Sequence, residues 1–426
     1  MGRRNPLGPS GSGPSPSTAG LLKACIRPWD IRLENSKQEH NQGRSTIFLL
    51  VFLSIYSGVH LYCFLKIKRA LISSSRVTDI LAVFLALMVF APVIVRILEK
   101  HGFESMARLL AYLGYTWMGL LFLFVSSLLV LDIFRFFLYI SGLILQSDFS
   151  GISPSPRFSF IISLTLSVVI GAYGAFEAQR IRVEHVTIET HKIPKNLGRL
   201  KIVQISDVHL GLMVREKRLK RILDRVKSAN PDILVSTGDL LDGQTDNLSN
   251  LAEMLREIPT TYGKFAVTGN HEFYAGITRS LDFIKNAGFT ILKGEGLTVS
   301  GLLNIAGVDD TAGRRYGLGT QVSEKALLAA LPREKFTLLL KHRPLVDQDA
   351  LGFFDLQLSG HIHKGQIFPF NLITMLFFPV VSGLHKIETN AWLYVSRGSG
   401  TWGPPIRFMS PPEVTLVELS YGGIGD

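Results

Sequence analysis

The chain has 426 residues, enough for more than one folded unit, and carries 45 Lys and Arg against 34 Asp and Glu, a net charge of +11. Such a balance draws a chain toward anionic surfaces or substrates; here the basic residues flank apolar segments, which favours a membrane surface, and no nucleic-acid partner is expected. Only Cys25 and Cys63 occur, so disulfides and thiolate metal sites are excluded from the C-terminal half, and cysteine usage says nothing about compartment.

Residues 1–45 read as a disordered tail, rich in Gly, Pro and Ser at first and basic later, with too little apolar surface to order itself. Arg3-Arg4 begins no export signal, because no apolar region follows closely. Residues 46–176 read as an all-α membrane domain of about four transmembrane helices. Thr46–Leu65 and Leu109–Leu131 contain no Asp, Glu, Lys or Arg and are long enough to cross a ~30 Å hydrocarbon layer. Ile80–Val95 is shorter but continues past Arg96. Phe158–Phe176 supplies the fourth span, in which Gly171 and Gly174 suit close helix packing. Phe136–Leu145 is too short to span alone and is assigned to the interface. His60, inside the first span, is expected to bond a neighbouring helix. Four spans put both chain ends on one side of the cell membrane. Arg27, Arg32, Lys37 and Arg44, with Arg96, Lys100, Arg108, Arg180 and Arg182, favour the cytoplasmic face for that side; Lys66, Lys68, Arg69 and Arg76 argue the opposite.

Residues 177–426 have a mixed α/β pattern. Strands are expected at Arg182–Glu189, Arg199–Ile205, Asp232–Ser236, Lys264–Val267, Phe289–Leu292, Leu302–Ala306, Phe336–Leu340, Asp355–Leu358, Trp392–Ser396 and Glu413–Leu419. Helices are expected at Glu216–Ala229, where Leu219, Ile222, Leu223 and Val226 share one face, and at Ser249–Ile258, Thr278–Asn286 and Ser323–Leu331. Five short blocks follow these strands: Asp207-Val208-His209, Gly238-Asp239, Gly269-Asn270-His271-Glu272, His342 after Leu340-Lys341, and Gly360-His361-Ile362-His363. In α/β sheets ligands bind at the carboxyl ends of strands, so all five blocks can converge on one rim. Carboxylate, imidazole and amide donors without thiolate suit divalent Mn, Fe, Zn or Co. Two such ions ~4 Å apart clamp a phosphoryl group and generate hydroxide near neutral pH.

The five blocks resemble the calcineurin-like metallophosphoesterase superfamily, with its D-x-H, G-D, G-N-H-E, later H and G-H-x-H pattern. The similarity covers roughly residues 200–419. The endings Val395-Ser396-Arg397-Gly398, Pro405-Ile406-Arg407 and Pro411-Pro412-Glu413 resemble its membrane-associated bacterial branch, which includes UDP-2,3-diacylglucosamine pyrophosphatases and other lipid-directed phosphodiesterases. The resemblance implies an α-β-β-α sandwich with two central sheets over 177–426. It implies that Asp207, His209 and His363 hold a first metal, that Asn270, His342 and His361 hold a second, and that Asp239 bridges them. His271 is then no ligand but the proton donor to the leaving oxygen, with Glu272 orienting it or a nearby loop. An N-terminal charge on the following segment is the alternative for Glu272.

The expected function is therefore a membrane-anchored phosphoesterase in which a metal-bridging hydroxide attacks a phosphodiester or pyrophosphate bond, in a phosphorylated, lipid-linked substrate. A tethered hydrolase of soluble nucleotides or phosphoproteins and a non-catalytic metal-dependent scaffold are the alternatives, and the oligomeric state stays open. Arg397 and Arg407 are candidates to grip a phosphate, with structural pairing to Glu413 as the other reading. Asp309-Asp310 are candidates to support the metal ligands from behind, or else loop caps. Seven basic residues between Arg215 and Lys227 face either anionic lipid or solvent. The uncharged run Phe368–Val381 is either a core element or an apolar loop that leaves the active-site rim to meet acyl chains.

Overall fold

The computed structural model describes residues 28–71, 74–243, 248–319 and 322–422, with side chains from Ile47 onward except that of residue 48. Residues 1–27 of the expected tail lie outside the described residues. The chain divides into two compact units, Met1–Phe52 and Leu53–Asp426.

Four long helices come first: α1 (Pro28–Leu71), α2 (Ser75–Lys100), α3 (Glu104–Leu145) and α4 (Pro156–Glu177). Each contains a stretch long and apolar enough to cross a membrane. The short segment Phe136–Leu145 is not a separate interfacial piece; it is the last part of α3. Asp132 and Arg135, which interrupt the apolar run, do not break the helix because their charges are met within it and next to it. Arg135 lies 3.1 Å from Asp132, which also accepts from Lys66 and Tyr62 of α1, each at 2.7 Å. At 42 residues, α3 is roughly 63 Å long at ~1.5 Å per residue, about twice the ~30 Å hydrocarbon layer. His60 does bond a neighbouring helix: its Nε2 accepts from Trp117 Nε1 at 3.0 Å, which leaves Nδ1 to donate to the Tyr56 carbonyl at 2.8 Å. Gly171 lets α4 close onto Leu120 of α3, where a Cβ would come within 2.4 Å of the Leu120 side chain.

The second half runs β1 (Arg182–Thr190), β2 (Arg199–Ile205), α5 (Glu216–Ala229), β3 (Ile233–Ser236), α6 (Ser249–Arg256), β4 (Lys264–Ala266), α7 (Asn270–Ala275), α8 (Ile277–Asn286), β5 (Thr290–Ile291), β6 (Glu295–Val299) and β7 (Leu303–Gly307). It continues α9 (Ala312–Tyr316), α10 (Glu324–Ala329), β8 (Phe336–Leu340), β9 (Leu356–Ser359), α11 (Phe370–Thr374), β10 (Gly383–Glu388), β11 (Ala391–Val395) and β12 (Glu413–Tyr421). Two six-stranded sheets result, ordered β1-β12-β2-β3-β4-β5 and β10-β11-β9-β8-β7-β6. Strands β2, β3 and β4 are mutually parallel, as are β7, β8, β9 and β11.

Alternation along the strands builds the layers. In β2, Leu200 and Ile202 point between the sheets, where Ile233, Val235, Leu338, Leu340, Leu356 and Leu358 meet them. Val203 and Ile205 point the other way, onto Leu219, Ile222, Leu223 and Val226 of α5. On the outer face of the second sheet, Ala306 and Leu339 are covered by Leu328 of α10 and by Phe354. The order is thus helix, sheet, sheet, helix. Gln204 ties the sheets together at the end where the blocks lie, donating to Thr237 Oγ1 at 2.8 Å and to the Ser359 carbonyl at 3.1 Å.

Two edge strands, β6 and β10, and the short helices α7, α9 and α11 are absent from the sequence-based expectation. The run from Phe368 divides: α11 has no buried residue and Leu376 and Phe377 are 80% and 70% exposed, whereas Phe378, Val380 and Val381 pack on Ile362, Leu393 and Val395.

Candidate metal centre and active site

Each block sits just past a strand end. Asp207 follows β2, Asp239 follows β3, Asn270 opens α7 after β4, His342 follows β8, and His361 and His363 follow β9. The glycines make the convergence possible. Gly238 has φ +96°, and a Cβ there would stand 2.6 Å from the Gly269 nitrogen and 2.8 Å from His342 Nδ1. A Cβ on Gly360 would come within 2.2 Å of Asp207 Oδ2.

Among the described residues three sets of donor atoms each lie within 4.8 Å internally: Asp207, His209 and His363; Asp239, His342 and His361; and His209, Asp242 and His271. In the first, His209 Nε2 is 3.1 Å from His363 Nε2, and His363 Nε2 is 3.5 Å from Asp207 Oδ1. In the second, His342 Nε2 is 3.2 Å from each of Asp239 Oδ2, Asn270 Oδ1 and His361 Nδ1. Asp239 Oδ2 also lies 3.9 Å from His209 Nε2, so this carboxylate stands between the first two sets.

The electrostatics call for cations. Burial pushes the Asp207 carboxyl up to about 6, and Asp239 beside it adds to the rise. Burial and the His271 charge push His209 down to about 4, while burial and His342 push His361 down to about 3. His342 goes the other way: burial opposes its charge, but Asp239 and Asp207 outweigh it and raise the imidazole to about 10. The carboxylates draw a proton onto one imidazole while its neighbours present lone pairs. That donor set, acidic and imidazole without thiolate, fits divalent ions that would replace the proton.

Three neighbours complete the site. His271 Nδ1 lies 3.0 Å from Asp242 Oδ1, its backbone nitrogen donates to Asp239 Oδ1 at 2.8 Å, and its ring stands edge-on to His209. Burial opposes charge on His271, yet Asp239 and Asp242 raise it to about 9. Asp242 was not singled out from the sequence. Its signal was available in the repeat of acid at a three-residue interval, Asp239-Leu240-Leu241-Asp242. Arg96, near the end of α2, reaches Asp242 at 3.4 Å. Glu272 takes both expected roles: in the first turn of α7 its carboxylate accepts from the N-cap nitrogen of Gly269 at 2.7 Å, and it also accepts from the backbone nitrogens of Asp239 and Leu241 at 3.0 and 3.1 Å and so shapes the Asp239 loop.

These geometries coincide with what known proteins share. The family model for calcineurin-like phosphoesterases matches residues 200–365. An Aquifex aeolicus protein described as an uncharacterized metallophosphoesterase is 44% identical over 262 residues, which are 61% of this chain and 99% of that protein. The chain belongs to the calcineurin-like phosphoesterases. A Campylobacter jejuni metallophosphoesterase is 36% identical over 62% of this chain and 70% of its own length. A Danio rerio transmembrane protein with a metallophosphoesterase domain is 34% identical over 61% of this chain and 62% of its own. Membership makes the chain a metal-dependent phosphoester hydrolase, and its four apolar helices associate it with a membrane.

Within this family member the two candidate arginines have internal partners rather than an open phosphate site. Arg407 is fully buried; it donates to His363 Nδ1 at 2.9 Å and to the carbonyls of Arg397 and Gly400 at 2.7 and 2.6 Å. It orients a candidate ligand from behind. Arg397 is paired with Glu184 and Glu413 and ties the sheet edge to the loop after β11. The acidic pair also divides its roles. Asp309 accepts from Thr268 Oγ1 at 2.9 Å, and Asp310 both caps Ala312 at 2.7 Å and holds Arg343, next to His342, at 2.7 Å.

Proposed function

We propose that the chain is a multi-pass membrane phosphoesterase that uses two divalent metal ions to hydrolyse a phosphodiester or pyrophosphate bond in a lipid-linked substrate. Residues 46–176 form the anchor and 177–426 the catalytic domain, on the cytoplasmic face. Asp207, His209 and His363 would hold one ion and Asn270, His342 and His361 the other, with Asp239 between. Bound there, the ions would neutralise the phosphoryl oxygens and activate the attacking water. Asp242 holds His271 by Nδ1, which leaves the other ring nitrogen to give a proton to the leaving oxygen.

One observation carries the lipid-linked part. A cavity of about 330 Å³ has His361 and His363 in its wall together with Gly119 and Phe122 of α3, Phe370 and Phe378. Apart from the histidines, Gln366 and Thr374 its lining is apolar, so a lipid-linked substrate with its phosphate at the histidines would have its acyl chains beside a membrane helix. Leu376 and Phe377, next in the chain to Phe378 of its wall, are exposed and would be free to meet a membrane surface.

The test is a screen of the full-length protein, loaded in turn with Mn, Fe, Zn or Co, against lipid diphosphates, phosphodiesters and monoesters and their water-soluble analogues. Long-chain substrates are expected to show much lower KM than analogues with the same head group. Equal KM values would favour a tethered hydrolase of soluble substrates, and metal retention without any turnover would favour a scaffold. Tags after Ser150 and at the C-terminus are expected to report opposite sides of the membrane, because one span separates them.

A further inference from the structure

The basic run of α5 has two destinations. Arg215, Glu216, Lys217, Arg218 and Arg221 line a cavity of about 490 Å³, with Arg108 of α3 and Gln179 just past α4 also in its wall. Lys220, Arg225 and Lys227 do not line it. The cavity shares Leu212, Met213, Val214 and Thr401 with a narrower one that ends on His209 and Asp242. It therefore adjoins the metal centre at the level of the membrane helix ends.

Its charges are unevenly met. Arg108 and Arg215 converge on Glu104. Arg218 donates only to the carbonyls of Ala178 and Ser399, the latter at 3.1 Å, and Arg221 to the side-chain carbonyl of Gln179. Among the described residues no carboxylate pairs with Arg218 or Arg221, and the Nε atoms of Arg108 and Arg218 are buried without a partner. Burial, and Arg221 beside it, lower the Arg218 guanidinium to about 10. Two adjacent guanidiniums, one of them largely buried, leave an open space where an oxyanion would be bound by charge-assisted hydrogen bonds.

We propose that this cavity binds a second phosphate group carried at the membrane surface, separate from the phosphoryl group at the metal centre. Two sources share that chemistry: the distal phosphate of the substrate itself and the head group of a neighbouring anionic lipid. A part in catalysis rests on the phosphoesterase function proposed above; anion binding does not.

The experiment measures retention of phosphatidic acid by the full-length, metal-loaded protein in phosphatidylcholine nanodiscs. The pair Lys217→Gln/Arg221→Gln is expected to lower retention roughly tenfold. Lys220→Gln/Arg225→Gln, the same loss of charge on the same helix outside the cavity, is expected to leave it within about twofold. Unchanged metal content in both variants shows that they fold. Equal loss in the two pairs, or none in either, overturns the proposal. A roughly tenfold rise in KM confined to lipid substrates with two phosphates identifies the substrate as the source. Lost retention with unchanged KM identifies a neighbouring head group. Absence of hydrolysis in every protein, with the retention difference intact, would overturn the phosphoesterase function and leave the anion site standing.

Discussion

The metal rim and the apolar mouth meet at His361 and His363, yet they are built in opposite ways. The rim holds non-glycine backbone in the left-handed region at Asp207, His209, Asp239, His361 and His363, with φ of 51°, 55°, 51°, 76° and 47°. Each such residue costs on the order of 1–3 kcal/mol and persists only where its surroundings over-determine it. They do here: His361 N donates to Asp207 at 2.9 Å, His209 N to the Asp239 carbonyl at 3.0 Å, and Asp207 N to the Gly238 carbonyl at 3.0 Å. At the mouth such bonds gather on Gln366, which donates to the Trp402 and Pro404 carbonyls at 2.9 and 3.0 Å and accepts from Trp402 N at 3.0 Å. Gly119, Phe122, Phe370 and Phe378 are apolar groups from distant parts of the chain that share a surface. A rim assembled from directional bonds concentrates its function in single atoms, whereas a mouth assembled from apolar area spreads it over many.

The sharpest challenge to that contrast is Asp239→Asn. With the carboxylate between the two donor groups gone, activity should fall by three powers of ten or more, roughly the scale of losing a main electrostatic element, and bound metal should drop as well. Near-normal turnover, measured with metal content, would remove the two-ion arrangement. Next in size is the pair His271→Ala and His361→Ala. The first should slow turnover by roughly two to four powers of ten at unchanged metal content. The second should lower metal affinity, and equal metal loss in both would make His271 a ligand.

A smaller effect concerns protons. Because His342 is raised to about 10 in the metal-free site, it is charged at neutral pH and must lose its proton when an ion binds. Metal loading at pH 7 should therefore release a proton, and apparent affinity should rise about tenfold per pH unit toward that value, if one proton is displaced. Calorimetry in two buffers of different ionisation enthalpy measures the release; a buffer-independent heat would contradict it.

The least effect is expected at the mouth. Replacing Phe370, Leu376 and Phe377 with Ser removes apolar area on the cavity wall and on the exposed surface beside it. A methylene is worth ~0.8 kcal/mol, so each lost contact of that size should raise KM for long-chain substrates about fourfold. Turnover of a soluble analogue should not change. A large fall in turnover of that analogue would show that the mouth, like the rim, is a directional structure, and the contrast between them would fail.

Legibility in the sequence followed the range of the interactions. Strand β2 and helix α5 have the boundaries expected from their patterns, because alternation and a shared apolar face are local properties. The five blocks could be assigned to one rim because parallel strands bring their carboxyl ends to the same side. The edge strands were hidden: Glu295–Val299 and Gly383–Glu388 are strands because β7 and β11 offer them pairing, and their own exposure blurs any alternation. Helices α7, α9 and α11, of five or six residues, are too short to show a helical period.

By itself, then, the sequence determined the apolar helices, the mixed α/β second half, and the acidic, amide and imidazole donors at strand ends. Only the tertiary structure decided which polar groups would have partners. Asp242 meets His271, Arg407 turns inward to His363, and the basic run of α5 divides between a cavity and solvent. Propensity and periodicity act over a few residues, while a buried charge takes its partner from whichever distant segment the packed sheets and helices bring alongside it.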